Sequence, residues 1–139
     1  INKIEDNTLP RREFNDIHAY FIPFEDALGE TYFLLERATK SSFVKSIDPL
    51  NTELILNSVL SSFEKINELM SLVFDKKLDG RKETSISVLG RCMLITEKVF
   101  NDAKMTKEIG EKKFIDLENQ KKEMLETLKK NLERWQKTG

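Results

Sequence analysis

The sequence is poor in the groups that carry chemistry in small proteins. It has one histidine, His18, and one cysteine, Cys92, so no intrachain disulfide can form and a nucleophilic or metal-bound Cys92 would find one imidazole in the whole chain. Cys92 lies in the apolar run SVLGRCMLI and reads as a small buried hydrophobe. There is no glycine-rich phosphate loop, no metal-ligand cluster and no Ser/His/Asp set. Glu64 and Glu68 have a helical spacing but lack the histidine partners of a di-iron bundle. Neither an enzyme nor a cofactor or metal site is therefore expected. No apolar run reaches the roughly 18 to 20 residues of a membrane span, and no basic-then-apolar leader opens the chain, so this stretch should be soluble by itself. Charge of one sign is also missing: 23 basic residues face 24 acidic ones for a net charge of −1, which leaves no field to attract nucleic acid or an anionic membrane. The chain opens on Ile1 rather than methionine, as expected of a piece excised from a longer protein.

What the sequence does have is helical periodicity. Phe14, Ile17, Phe21, Phe24, Leu28 and Leu35, with Thr31 filling the gap, follow the three-four spacing of one helix face. Pro23 should kink that helix without ending it, because the stripe keeps its phase across the proline. Asp48 before Pro49 forms a helix start, with a capping carboxylate and proline in the first turn. Leu56, Val59, Phe63, Ile66, Met70 and Val73 then repeat the spacing. Gly80 suits a turn, and Thr84 or Ser85 can cap the next helix. There Ile86, Leu89, Met93, Thr96, Phe100 and Ala103 make one seam, and Val88, Cys92, Ile95 and Val99 a second beside it. The pattern weakens at Thr106 and Gly110, and Phe114, Leu117, Met124, Leu128 and Trp135 resume it. The run KKEMLETLKKNLERWQK reads as a solvated face with Glu/Lys pairs one turn apart.

These segments predict one all-α domain over residues 1–139, with helices at about 11–38, 49–77, 85–104 and 107–136. Their lengths and short connections suit an up-down-up-down antiparallel four-helix bundle of long helices, about 35 to 45 Å each at 1.5 Å per residue. An even number of helices returns both chain ends to one end of the bundle.

The opening INKIEDNTLPRREFNDIHAYF, a polar lead-in, a Leu9-Pro10 pair and then a long amphipathic helix, resembles the start of the four-helix-bundle sensory ectodomains of bacterial chemoreceptors and sensor kinases. The resemblance extends over the whole chain, with helix one rising from a membrane and helix four, ending in LERWQK, returning to it. It implies a periplasmic signal-receiving homodimer that binds a small molecule or protein ligand, attached to the inner membrane by spans outside this sequence. No arginine set for an anionic ligand can be matched residue by residue.

Two other classes fit the same pattern. One is a cytosolic protein-protein interaction, adaptor or immunity-type bundle. The other is enzymatic: Arg12 and His18 are spaced like the arginine-histidine pair of ribonucleases of the HEPN type, although that family places the pair late in the chain.

Candidate ligand residues come from laying the helices antiparallel. Thr96, Ser62 and Lys121 then share one mid-bundle level with Glu25 close by, and Lys121 occupies a seam position where an apolar residue is expected. A lysine there must reach solvent at the helix edge or find an anionic partner, either Glu25 or a ligand. His18, Glu68 and Arg91 share a second level, where Arg91 could frame a groove. Ile22, Gly29 and Phe33 lie off the main seam of helix one, where glycine permits close approach. They suggest a parallel homodimer through helix one, weak when no membrane tether raises the effective concentration.

Overall fold

The computed structural model describes residues 17–40, 49–76, 80–106 and 109–138. Among them the chain is all-helical, with no strand. A π-helical turn at Ile17–Phe21 leads into α1 (Ile22–Lys40), followed by α2 (Pro49–Met70), α3 (Arg81–Thr106) and α4 (Glu111–Lys137). The expected start of helix one at 11–16, Phe14, Arg12, the Leu9-Pro10 pair and the Asp48 cap lie outside the described residues.

The α1 stripe is buried at Phe21, Phe24, Leu28, Thr31 and Leu35. Pro23 has no backbone N–H, and its ring would crowd the carbonyl four residues earlier. The wider π turn ending at Phe21 is where the backbone accommodates both effects. Thr31 occupies an apolar seam at no unpaired cost because its Oγ1 donates to the Ala27 carbonyl at 2.7 Å.

In α2, Leu56, Val59, Phe63, Ile66 and Met70 are fully buried. The helix ends at Met70, earlier than residue 77. Bonds from Leu72 N to Leu69 O (3.0 Å), Val73 N to Met70 O (3.1 Å) and Lys76 N to Val73 O (3.2 Å) tighten the chain into three-residue turns. Val73 and Phe74 nevertheless stay in the core. A spacing of three is met by either turn, so the apolar pattern outlasts the helix.

Gly80, at φ 84°, takes the left-handed conformation that side chains resist. α3 starts directly after it, ahead of the Thr84/Ser85 position expected for the cap. The most buried line of α3, Leu89, Cys92, Thr96, Val99, Phe100 and Ala103, runs between the two sequence seams, with Ile86, Val88, Met93 and Ile95 half-buried on its flanks. Gly110 caps α4 without a side-chain bond, and Phe114, Leu117, Lys121, Leu125, Leu128 and Trp135 are buried. α3 and α4 are thus separate helices.

α1 packs against α2 and α3, and α2 against α4, while α3 meets α4 and α2 less extensively. Between α2 and α4, Glu53 approaches Lys113 at 3.7 Å. Asn67 Nδ2 donates to Met124 Sδ at 3.4 Å, and Asn131 Nδ2 donates to Asn67 Oδ1 at 3.0 Å. Thr138 Oγ1 donates to the Phe74 carbonyl at 3.1 Å. The Glu53–Lys113 pair is largely solvated and contributes about 0–1 kcal/mol, whereas each buried Phe or Leu contributes roughly 1.5–3 kcal/mol, so the core holds the helices together and the half-buried asparagines set their register.

At one end, Trp135 meets Phe24 edge to face with centroids 5.6 Å apart. Arg134 lies over Phe74 at 4.8 Å, Arg81 over Phe21 at 5.9 Å and Lys76 over Tyr20 at 4.7 Å. Lys82 Nζ donates to the Thr138 carbonyl. The beginning of α1, the chain just past α2, the beginning of α3 and the end of α4 therefore meet around Trp135.

Cys92 is fully buried, and loss of hydration pushes its thiol pKa from 9.0 up to about 12. It should react with a disulfide reagent only through unfolding, with a rate that follows denaturant. The thiol should also make stability pH-dependent. Below pH 9 its contribution is complete; from there to about pH 12 the unfolded chain loses its proton first, so stability falls as pH rises. Urea melts of the parent and Cys92→Ala at pH 7 and 10 should show a smaller pH-dependent loss for the variant.

Candidate functional site

The proposed ligand residues do not converge. Lys121 is only 2% exposed, which corrects the expectation that it reaches solvent. Its stem lies in the α4 seam, and its Nζ donates to Glu97 Oε2 on α3 at 2.7 Å while standing 5.4 Å from the Phe100 ring centroid. The packing of α4 beside α3 places the half-exposed Glu97 carboxylate at the exit of the seam, so the ammonium is neutralised there. Glu25 does not meet Lys121; it bonds to Arg81 at the Trp135 end, 3.3 Å away. Thr96 faces the core and donates to the Cys92 carbonyl at 2.7 Å. Ser62 is half-buried, and Arg91, His18 and Glu68 are exposed. Among the described residues, no group of His, Cys, Asp and Glu could hold a metal ion, and no helix is long and apolar enough to cross a membrane.

Of the off-seam residues of α1, Gly29 and Phe33 share one concavity, and Ile22 does not line it. Phe33 is 62% exposed, Gly29 is exposed and Ile22 half-buried. Gly29, Glu30, Phe33, Leu34 and Arg37 line a shallow concavity of about 470 Å³. A Cβ added at Gly29 would meet nothing within 4 Å, so its backbone faces open space. The Arg37 guanidinium lies 6.0 Å from the Phe33 ring centroid, one turn along the helix, and partly shields the ring. A second concavity of about 690 Å³ sits at the α3–α4 corner, lined by residues including Ala103, Ile109, Phe114 and Ile115. Neither reaches Lys121, Thr96, Glu25 or Arg91.

The sequence reading missed Glu97, Glu30, Leu34 and Arg37. Arg37 could have been found, since it stands four residues after Phe33. Glu97 could not, because its pairing depends on the register between two helices. No family model, curated protein or solved structure matches the chain.

Proposed function

We propose that the chain is a non-enzymatic, signal-receiving helical bundle that works by binding, and that the outward face of α1 is where it pairs with a second copy. The observation carrying this reading is the largely exposed Phe33 beside the open backbone of Gly29. An aromatic ring held at a concavity on a rigid helix is the kind of anchor around which interfaces form. The bundle alternates up-down-up-down along long helices, which the meeting of α1's beginning and α4's end around Trp135 supports. That arrangement suits the extracytoplasmic sensor domain of a bacterial transmembrane receptor, whose chain leaves and re-enters one membrane, with the ligand drawn from the periplasm. Small-molecule sensing through Lys121, Thr96, Glu25 and Arg91 would require a rearrangement that frees Lys121 from Glu97 and Glu25 from Arg81 and brings the four together.

A second reading, a cytosolic interaction or adaptor bundle, is favoured by the closed state of Lys121 and Thr96: a ligand would have to displace Glu97 and open the core. Apolar spans of about 20 residues flanking the segment in its gene would favour the receptor, and their absence the adaptor. The self-association itself is tested by sedimentation velocity. The parent should dimerise with rising concentration, and Phe33→Glu or Ile22→Glu should weaken the dimer with helicity retained. A parent that stays monomeric at millimolar concentration, or a dimer indifferent to both changes, would refute it.

A further inference from the structure

We infer that the α1 face pairs with itself antiparallel, Glu30 of each copy meeting Arg37 of the other around two adjacent Phe33 rings. The inference rests on the self-association proposed above and adds its orientation, which the receptor reading takes to be parallel.

At about 100° per residue, Asp26, Glu30, Phe33 and Arg37 share one side of α1, and all four are exposed. Their charges are segregated along the helix. The acids precede Phe33 and the base follows it, while Glu36 is half-buried on the other flank. A parallel pair would set Asp26 against Asp26, Glu30 against Glu30 and Arg37 against Arg37, three like-charge oppositions on one interface. Reversing one helix exchanges the ends. Glu30 and Arg37 stand three residues before and four after Phe33, so a two-fold axis beside Phe33 makes both cross-pairs at once. Opposite charges then steer and register the encounter, where the parallel alternative is repelled. The apolar part follows from the same axis: Phe33 of each copy stands opposite Leu34 of the other, so the two exposed rings lie side by side at the centre of the interface. The pair would point its two Trp135 ends away from each other. It therefore fits copies that are not anchored through those ends to one membrane face, and so favours the adaptor setting.

Charge reversal tests the orientation. At low salt, Glu30→Arg and Arg37→Glu should each weaken dimerisation about tenfold, because each puts like charges across both pairs, and the double variant should recover most of the loss. In a parallel dimer each reversal exchanges one like-charge opposition for another, and no such pattern arises. Spin labels on Asp26→Cys supply a readout that does not depend on affinity; the buried Cys92 stays unlabelled. The antiparallel pair separates the labelled sites by about 22 Å along the helix at 1.5 Å per residue, and the parallel pair by almost none. A dimer weakened by Phe33→Glu but with adjoining labels and unresponsive to reversal would overturn the antiparallel orientation and leave the self-association standing. Absence of any dimer would overturn both.

Discussion

Trp135→Ala should lower stability by about 3–5 kcal/mol, and the melting temperature by roughly 10–20 °C, more than any other single truncation at that end of the bundle. Trp135 is fully buried and joins the end of α4 to Phe24 of α1, two helices that otherwise touch little. Its removal leaves a cavity that Phe21, Phe24 and Phe74 would have to close, each already buried and committed to its own helix. Trp135→Phe should be far milder, at about 1 kcal/mol or less. The indole Nε1–H is buried with no hydrogen-bond partner among the described residues, so phenylalanine loses bulk but also removes an unmet donor. Thermal melts of the two variants separate these effects. Equal losses would contradict the reading that phenylalanine relieves an unmet donor.

The second large effect concerns Lys121. Lys121→Ala should cost about 2–3 kcal/mol through lost stem packing in the α4 seam. Lys121→Met fills the same space without a charge and should cost little or even stabilise, because replacing a desolvated ion pair with a well-fitting apolar residue is often neutral or better. Glu97→Ala should cost about 1–2 kcal/mol: it strips the neighbouring carboxylate from an ammonium that is 2% exposed, but Glu97 is itself half in water, which reduces the penalty. In the Lys121→Met background the Glu97→Ala cost should nearly vanish. If methionine proves as damaging as alanine, the Lys121–Glu97 pair itself stabilises the fold; if it costs little, stability does not require the charge, and the ligand reading of Lys121 gains weight.

The helical architecture was legible because the apolar residues recur every three or four positions. From Phe21 to Leu35 and from Leu56 to Met70 the stripes became the buried faces residue by residue. Periodicity records burial rather than hydrogen bonding, so it ran past Met70 into turns where Val73 stays in the core. Thr31 and Thr96 were placed in seams correctly despite their hydroxyls, since each bonds within its own helix. Contacts between helices were less legible. Lys121 stood out as a misplaced charge, yet its partner is Glu97 rather than Glu25, a choice fixed by how α3 and α4 are aligned. The α1 face was visible as apolar residues off the main seam, while the order of its charges gains meaning only once Glu30 and Arg37 are known to flank an exposed ring.

The most direct test of the account is a dilution series followed by two-dimensional amide NMR. On concentration, the amides of Gly29, Glu30, Phe33, Leu34 and Arg37 should shift or broaden together, with those around Trp135 and the Ala103–Glu118 corner unchanged. Spectra that are independent of concentration up to the millimolar range, or shifts confined to that corner or to the Trp135 end, would contradict a bundle that works through the outward face of α1.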